Sequence, residues 1–147
     1  MKKKFSPPFL YKLFIAVMIL PVFLPLPVQI HFPYNLTGII LLIAGAYIAI
    51  DTKKMFKKTQ TPISHLAKPV NLYTKRIFRL TRNPMYFGIV IAIGGIAMIT
   101  GIIYNFIFPI LYLAIMDAHF VRPEEKELEK KFGDVYRQYK RKTNRWL

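Results

Sequence analysis

Long apolar stretches alternate with basic blocks along this 147-residue chain, and the alternation limits the folds that it can adopt. Apolar residues dominate four stretches, at about 9–30, 36–55, 85–103 and 106–120. A helix of roughly 20 apolar residues crosses the ~30 Å hydrocarbon core of a bilayer. The pattern predicts one domain: an all-α integral membrane protein with about four transmembrane helices, of which the fourth is short.

The basic residues indicate how such a protein is oriented. All 22 lysine and arginine residues fall in three blocks, at 2–12, 53–82 and 122–145, and the turns between paired stretches contain none. Lysine and arginine are retained on the cytoplasmic side during membrane insertion. We therefore expect an even number of spans, with both termini in the cytoplasm.

Composition excludes several other classes of protein. A formal charge of +15 combined with 54% hydrophobic residues suits a membrane protein whose basic blocks lie against anionic headgroups. No soluble basic face or known nucleic-acid module is apparent, so we expect no nucleic-acid partner. The absence of cysteine excludes a disulfide framework, a thiolate nucleophile and a cysteine-ligated zinc site. The three scattered histidines lack metal-ligand spacing, and no metal is expected.

The tail, residues 121–147, predicts a cytoplasmic amphipathic helix. Pro123 suits a first helical turn, and the carboxylates of Glu124 and Glu125 favour the positive end of a helix dipole. Apolar and aromatic residues then recur at intervals of four, four and three, which places them on one helix face. These residues are Leu128, Phe132, Tyr136 and Tyr139.

Two segments carry polar groups suited to binding. At residues 82–88, Arg82 and the free N–H groups of a helix start could hold an anion, or the segment could simply be a capped helix with interfacial anchors. Glu124 and Glu125 could likewise cap a helix, or bind hydroxyl groups or a cation. Asp117 and His119 lie near the end of the fourth stretch, where ionisable groups only weakly suggest function.

Taken together, the two segments carry a recognisable signature. The string Arg-Asn-Pro-Met-Tyr-Phe-Gly at 82–88 opens an apolar stretch, and Glu-Glu-x-x-Leu-x-x-x-Phe-Gly-x-x-Tyr-x-x-Tyr follows at 124–139. This combination resembles the isoprenylcysteine carboxyl methyltransferase and phospholipid methyltransferase superfamily. The resemblance covers residues 69–146 well and the first half only by hydropathy.

The resemblance implies an enzyme that uses S-adenosylmethionine near the cytoplasmic face and takes its lipidic methyl acceptor from the bilayer. It implies cofactor-binding residues at Arg82, Asn83, Tyr86, Gly88, Glu124 and Glu125. A basic residue near the end of the tail would assist catalysis, and the candidates are Arg141, Lys142 and Arg145. Tyr136 and Tyr139 would pack the last helix instead of contacting the cofactor.

The chain departs from the family pattern at two places. Relatives resemble Leu-Val-x-x-Gly-Pro-Tyr-Arg upstream, whereas Arg76 and Ile77 stand at the Gly-Pro positions here. Glycine there could adopt backbone angles that arginine resists. Prenylcysteine enzymes have histidine where Asn83 stands, which argues against assuming a prenylcysteine acceptor.

The expected function is therefore S-adenosylmethionine-dependent methyl transfer to a lipid or lipid-linked acceptor, in a multi-pass protein of a bacterial plasma membrane. The acceptor atom could belong to a carboxylate, an amine or a thiol. An amine would need a base, for which Glu124, Glu125 and His119 are candidates. The alternatives are a non-catalytic membrane module that binds anionic lipid or a partner, and a small transporter or channel subunit, which the near absence of charge in the spans disfavours.

Overall fold

The computed structural model describes residues 6–23, 30–58 and 71–147, and every regular element in these ranges is a helix. The α-helices are α1 (Pro7–Ile19), α2 (Thr37–Lys58), α3 (Pro84–Thr100), α4 (Ile107–Met116) and α5 (Arg122–Lys142). The predicted all-α class is thereby confirmed. Three prolines, Pro21, Pro25 and Pro27, predict a kink near the end of the first apolar stretch, and Pro25 and Pro27 lie outside the described residues.

Two helical stretches are long and apolar enough to cross a membrane. They are Tyr34–Lys58 and Ile103–Lys142, and only 17% and 22% of an apolar 18-residue segment in each is buried. Apolar helices that expose most of their surface are expected where lipid covers them, because water would penalise that exposure. The other apolar helices, Pro7–Ile19 and Pro84–Thr100, are shorter, and the count of four spans stays a prediction.

Glycines bring the backbones of α2 and α3 into direct contact. The two helices run antiparallel. Gly38 faces Gly95, and Gly45, seven residues later in α2, faces Gly88, seven residues earlier in α3. A Cβ atom built on Gly45 would lie 2.5 Å from the carbonyl oxygen of Gly88, and one on Gly38 would lie 2.5 Å from that of Gly95. Small residues allow this close approach, which is a common basis of helix association in membranes.

A second contact region joins α1, α3 and α4. Met18, Ile93, Tyr112 and Met116 are buried there with at most 1% of their surface exposed. The amide nitrogen of Asn105 donates to the backbone oxygen of Met18 at 3.3 Å, which ties the α3–α4 turn to the end of α1. α1, α3 and α4 therefore form a packed unit, to which α2 is attached along its glycine face.

The chain continues from α4 into α5 through a π-helical turn, Asp117–Val121. Proline has no N–H and its ring crowds the carbonyl one turn earlier, so the wider turn accommodates Pro123 inside a continuous helical run. The sequence predicts a new helix start at Pro123, whereas in the structure α5 begins at Arg122 and continues directly from the π-helical turn. Gly133, with φ +51° and ψ −124°, then kinks α5 at a point where glycine alone is unstrained.

Candidate functional site: an ionic cluster where helices α3 and α5 meet

The loop before α3 contains a non-glycine residue whose backbone lies in the left-handed region. Arg76 has φ +57°, in the region that favours glycine, and it opens a short 3-10 helix, Arg76–Arg79. Arg76 therefore adopts a backbone conformation that glycine would adopt freely and that arginine resists. The buried Phe78 of this helix packs against Tyr136 and Tyr139 of α5, so the loop is attached to the tail.

A buried ion pair joins the start of α3 to the first turn of α5. The Nε and Nη2 groups of Arg82 donate to Glu125 Oε1 at 3.1 and 2.8 Å, and both side chains are less than 10% exposed. Nη1 of Arg82 also donates to the backbone oxygens of Lys140 and Thr143. Four of the five guanidinium N–H groups of Arg82 are thereby occupied within the protein.

Arg145 completes the environment of the same carboxylate. Its Nε donates to Glu125 Oε1 at 3.1 Å and its Nη2 to Oε2 at 2.8 Å. Loss of water around Glu125 raises the pKa of its carboxyl, but the hydrogen bonds from Arg145 and Arg82 outweigh it and hold the pKa below its ordinary value. Glu125 is therefore a carboxylate that accepts four hydrogen bonds from two arginines, three at Oε1 and one at Oε2.

Asp117, at the start of the π-helical turn, extends the cluster. Its carboxylate accepts hydrogen bonds from Arg122 at 2.6 Å, Arg145 at 3.1 Å and the indole N–H of Trp146 at 3.2 Å. The ionic cluster thus consists of Arg82, Asp117, Arg122, Glu125 and Arg145, and it holds the end of the chain against the helical bundle. The sequence places Asp117 near the end of the fourth apolar stretch, but no pattern in the sequence predicts its contacts with Arg145 and Trp146.

Backbone contacts hold residues 143–146 across the start of α3. The hydroxyl of Thr81 and the amide of Asn83 donate to the backbone oxygen of Arg145, at 2.8 and 3.2 Å. The backbone N–H of Arg82 donates to the oxygen of Asn144 at 3.0 Å. Asn83 thus binds the tail and makes no side-chain cap to α3.

Glu124 differs from its neighbour, because its carboxylate makes no hydrogen bond or ion pair with any described residue. It is solvent-exposed, and it lies close enough to Tyr86 for the two side chains to interact electrostatically. Although the residue keeps contact with solvent, neighbouring protein atoms displace water around its carboxyl; this burial, and less so the charge of adjacent Glu125, raises the pKa of Glu124 to about 7. Of the two adjacent glutamates, Glu124 is the one whose carboxylate has no hydrogen-bond partner among the described residues.

Two tyrosines of α5 also differ. The hydroxyl of Tyr139 donates to the backbone oxygen of Phe78 at 2.7 Å. Tyr136 is only 1% exposed, and its hydroxyl has no hydrogen-bond partner among the described residues. Buried polar atoms are normally satisfied, so the Tyr136 hydroxyl needs an explanation.

The remaining predicted site residues are not brought into the cluster. Gly88 faces α2, and a Cβ atom there would lie 2.7 Å from the backbone oxygen of Gly45. Arg141 and Lys142 are exposed at the end of α5, whereas Arg145, the third basic candidate, is half-buried in the cluster. No group of three or more metal-ligating side chains occurs within residues 6–23, 30–58 and 71–147.

Comparisons with known proteins agree with the resemblance. An uncharacterized protein of Haemophilus influenzae is 45% identical over 38 residues, a match that covers 26% of this chain and 60% of that protein. No solved structure matches. Residues 34–135, more than half of the chain, match the family described as phospholipid methyltransferase. The chain therefore belongs to the phospholipid methyltransferase family, whose members are membrane methyltransferases.

Proposed function

We propose that this chain transfers a methyl group from S-adenosylmethionine to a lipid or lipid-linked acceptor at the cytoplasmic face of the membrane. Family membership supports methyl transfer, and the exposed apolar surfaces of the candidate spans support an acceptor that arrives through the bilayer. The observation that carries the proposal is the contrast between two adjacent carboxylates. Glu125 accepts four hydrogen bonds from two arginines, while Glu124, near Tyr86 of α3, has no hydrogen-bond partner among the described residues.

The described residues fit such a cofactor in the chemistry of their polar groups. An open carboxylate suits the hydroxyl or ammonium groups of S-adenosylmethionine, and charge-assisted hydrogen bonds of this kind are among the stronger ones in proteins. The buried Tyr136 hydroxyl offers a further donor and acceptor that has no partner within the described chain. We assign Glu124 to ligand binding, and we assign Arg82 and Glu125 to holding α3 and α5 in register around the ligand.

The chemistry needs positioning more than proton transfer. When bound, S-adenosylmethionine supplies an electrophilic methyl group, and transfer to a nucleophile breaks the C–S bond and leaves a neutral thioether. Alignment of two bound reactants can itself provide a large part of the rate enhancement. If the acceptor is an amine, the Glu124 carboxylate, with its pKa raised to about 7, is suited to take the proton.

The test is calorimetric titration of S-adenosylmethionine into the detergent-purified full chain. The wild type should bind saturably, and Glu124→Gln should weaken binding about tenfold, which corresponds to one charge-assisted hydrogen bond. Glu127→Gln is the matched control, because Glu127 is an exposed glutamate of the same helix with no ion pair among the described residues. Absence of binding to folded wild type at millimolar cofactor would overturn the proposal.

A further inference from the structure

The fold brings two basic segments together on one surface. Four lysines occupy the last turns of α2, and three basic residues accompany the short 3-10 helix before α3. All seven side chains are exposed, and none forms an ion pair with a described residue. We call this surface the basic patch, and its residues are Lys53, Lys54, Lys57, Lys58, Lys75, Arg76 and Arg79.

An aromatic cluster fixes the two segments relative to each other. The ring of Phe56 in α2 lies 5.4 Å from that of Tyr73 and 5.9 Å from that of Phe78, measured between centroids. Tyr73 and Phe78 are 5.7 Å apart, and Tyr139 holds the backbone of Phe78 from the other side. The patch is therefore a built surface and not two independent flexible runs.

The basic patch differs from the basic tail, residues 121–147, in how far acidic residues balance its charge. Six of the seven acidic residues lie between 117 and 134, where they pair with or lie beside the basic residues of α5. Asp51 is the one acidic residue that precedes them in the chain. Seven positive charges on two segments that pack against each other through Phe56, Tyr73 and Phe78 repel one another, and an anionic partner would relieve that repulsion.

The position of the patch indicates which anion it takes. It lies at the Lys58 end of the candidate span Tyr34–Lys58, where long basic side chains extend along an apolar surface to reach headgroups. Leu80, next to the patch, is 63% exposed and adds an apolar contact. We propose that the basic patch binds the headgroups of anionic phospholipids in the leaflet where α2 ends.

The experiment uses the full chain in a neutral sugar detergent and measures calorimetric binding of soluble short-chain phosphatidylglycerol. The wild type should bind this lipid in a salt-sensitive manner and bind short-chain phosphatidylcholine far less. Each basic residue near an anionic surface adds to the attraction, so removing two charges from the patch should weaken binding at least about tenfold. The variants are Lys57→Gln/Lys58→Gln and Lys75→Gln/Arg79→Gln, one pair from each segment.

The matched control is Lys126→Gln/Lys130→Gln, which removes two exposed lysines from α5 and leaves the patch intact. Its affinity for phosphatidylglycerol should equal that of the wild type. The proposal is overturned if the control loses as much affinity as the patch variants, if both lipids bind equally, or if inorganic phosphate binds as tightly as phosphatidylglycerol. None of these outcomes depends on methyltransferase activity.

Discussion

The guanidinium of Arg82 and the carboxylate of Glu125 form a buried ion pair, 2.8 Å from Nη2 to Oε1, across 43 residues of sequence. With Arg145 on its other side, Glu125 lies between two cations. Burying charges is costly unless each is paired and hydrogen-bonded, and here the carboxylate accepts four hydrogen bonds from two arginines. The pair therefore ties α3, α5 and the end of the chain into one unit.

We expect Glu125→Gln to lower the free energy of unfolding by about 3 kcal/mol, because it leaves the buried Arg82 guanidinium without a counter-charge and leaves Arg145 with Asp117 alone. Thermal unfolding in detergent measures the change. Glu129→Gln is the control, since Glu129 pairs with Arg137 and Lys140 on the surface and should change stability little. Equal effects of the two substitutions would contradict a structural role for the buried pair.

The lowered pKa of Glu125 predicts that the folded protein loses stability in acid. The pKa of Glu125 is held below its ordinary value of 4.5 in the folded protein, so its contribution to stability is present above that value. The contribution is lost as the pH falls through the lower folded pKa. The melting temperature of the wild type should therefore fall more steeply below pH 4.5 than that of Glu125→Gln, and parallel curves would contradict the prediction.

The raised pKa of Glu124, in contrast to the lowered pKa of Glu125, predicts that cofactor binding depends on pH near neutrality. Its pKa is raised to about 7, so the carboxyl is ionised above that pH and protonated below it. If S-adenosylmethionine binds the carboxylate, its affinity should increase as the pH rises from 6 to 8. Calorimetry across this range should give a flat profile for Glu124→Gln, and a wild-type profile that is flat as well would remove Glu124 from the site.

Sequence reasoning predicted that the segments at 82–88 and 124–139 act together, and the structure places Arg82 against Glu125. It could not separate the roles of Glu124 and Glu125, because neighbouring residues of a helix point about 100° apart and the neighbouring helices determine which one is buried. Nor could it foresee that Arg145 reaches Asp117, since a contact across 28 residues depends on the path of the tail. The all-α fold class, by contrast, could be predicted from the hydropathy of the apolar stretches alone.

Tyr136 and Tyr139 allow a matched pair of substitutions. Tyr139→Phe removes a satisfied hydrogen bond to Phe78 and should cost about 1 kcal/mol of stability without changing cofactor affinity. Tyr136→Phe removes a hydroxyl that has no hydrogen-bond partner in the described part of the chain, so stability should be unchanged or higher. If the cofactor satisfies this hydroxyl, Tyr136→Phe should weaken S-adenosylmethionine binding about fivefold. Unchanged affinity would leave Tyr136 as a packing residue.

Gly88 is the predicted cofactor residue for which the structure offers a different explanation. A Cβ atom at this position would lie 2.7 Å from the backbone oxygen of Gly45 and 2.8 Å from the backbone nitrogen of Ala49. Because backbone atoms cannot move aside easily, Gly88→Ala should separate α2 from α3 and cost about 2 kcal/mol of stability.

Gly94 of the same helix is the control, because a Cβ atom there would meet nothing within 4 Å. Alanine favours a helix over glycine by up to about 1 kcal/mol, so Gly94→Ala should leave stability unchanged or raise it. Thermal unfolding and S-adenosylmethionine titration of both variants separate the two explanations. A destabilised Gly88→Ala that binds the cofactor normally while folded indicates packing. A stable variant with weakened binding would instead place Gly88 at the cofactor.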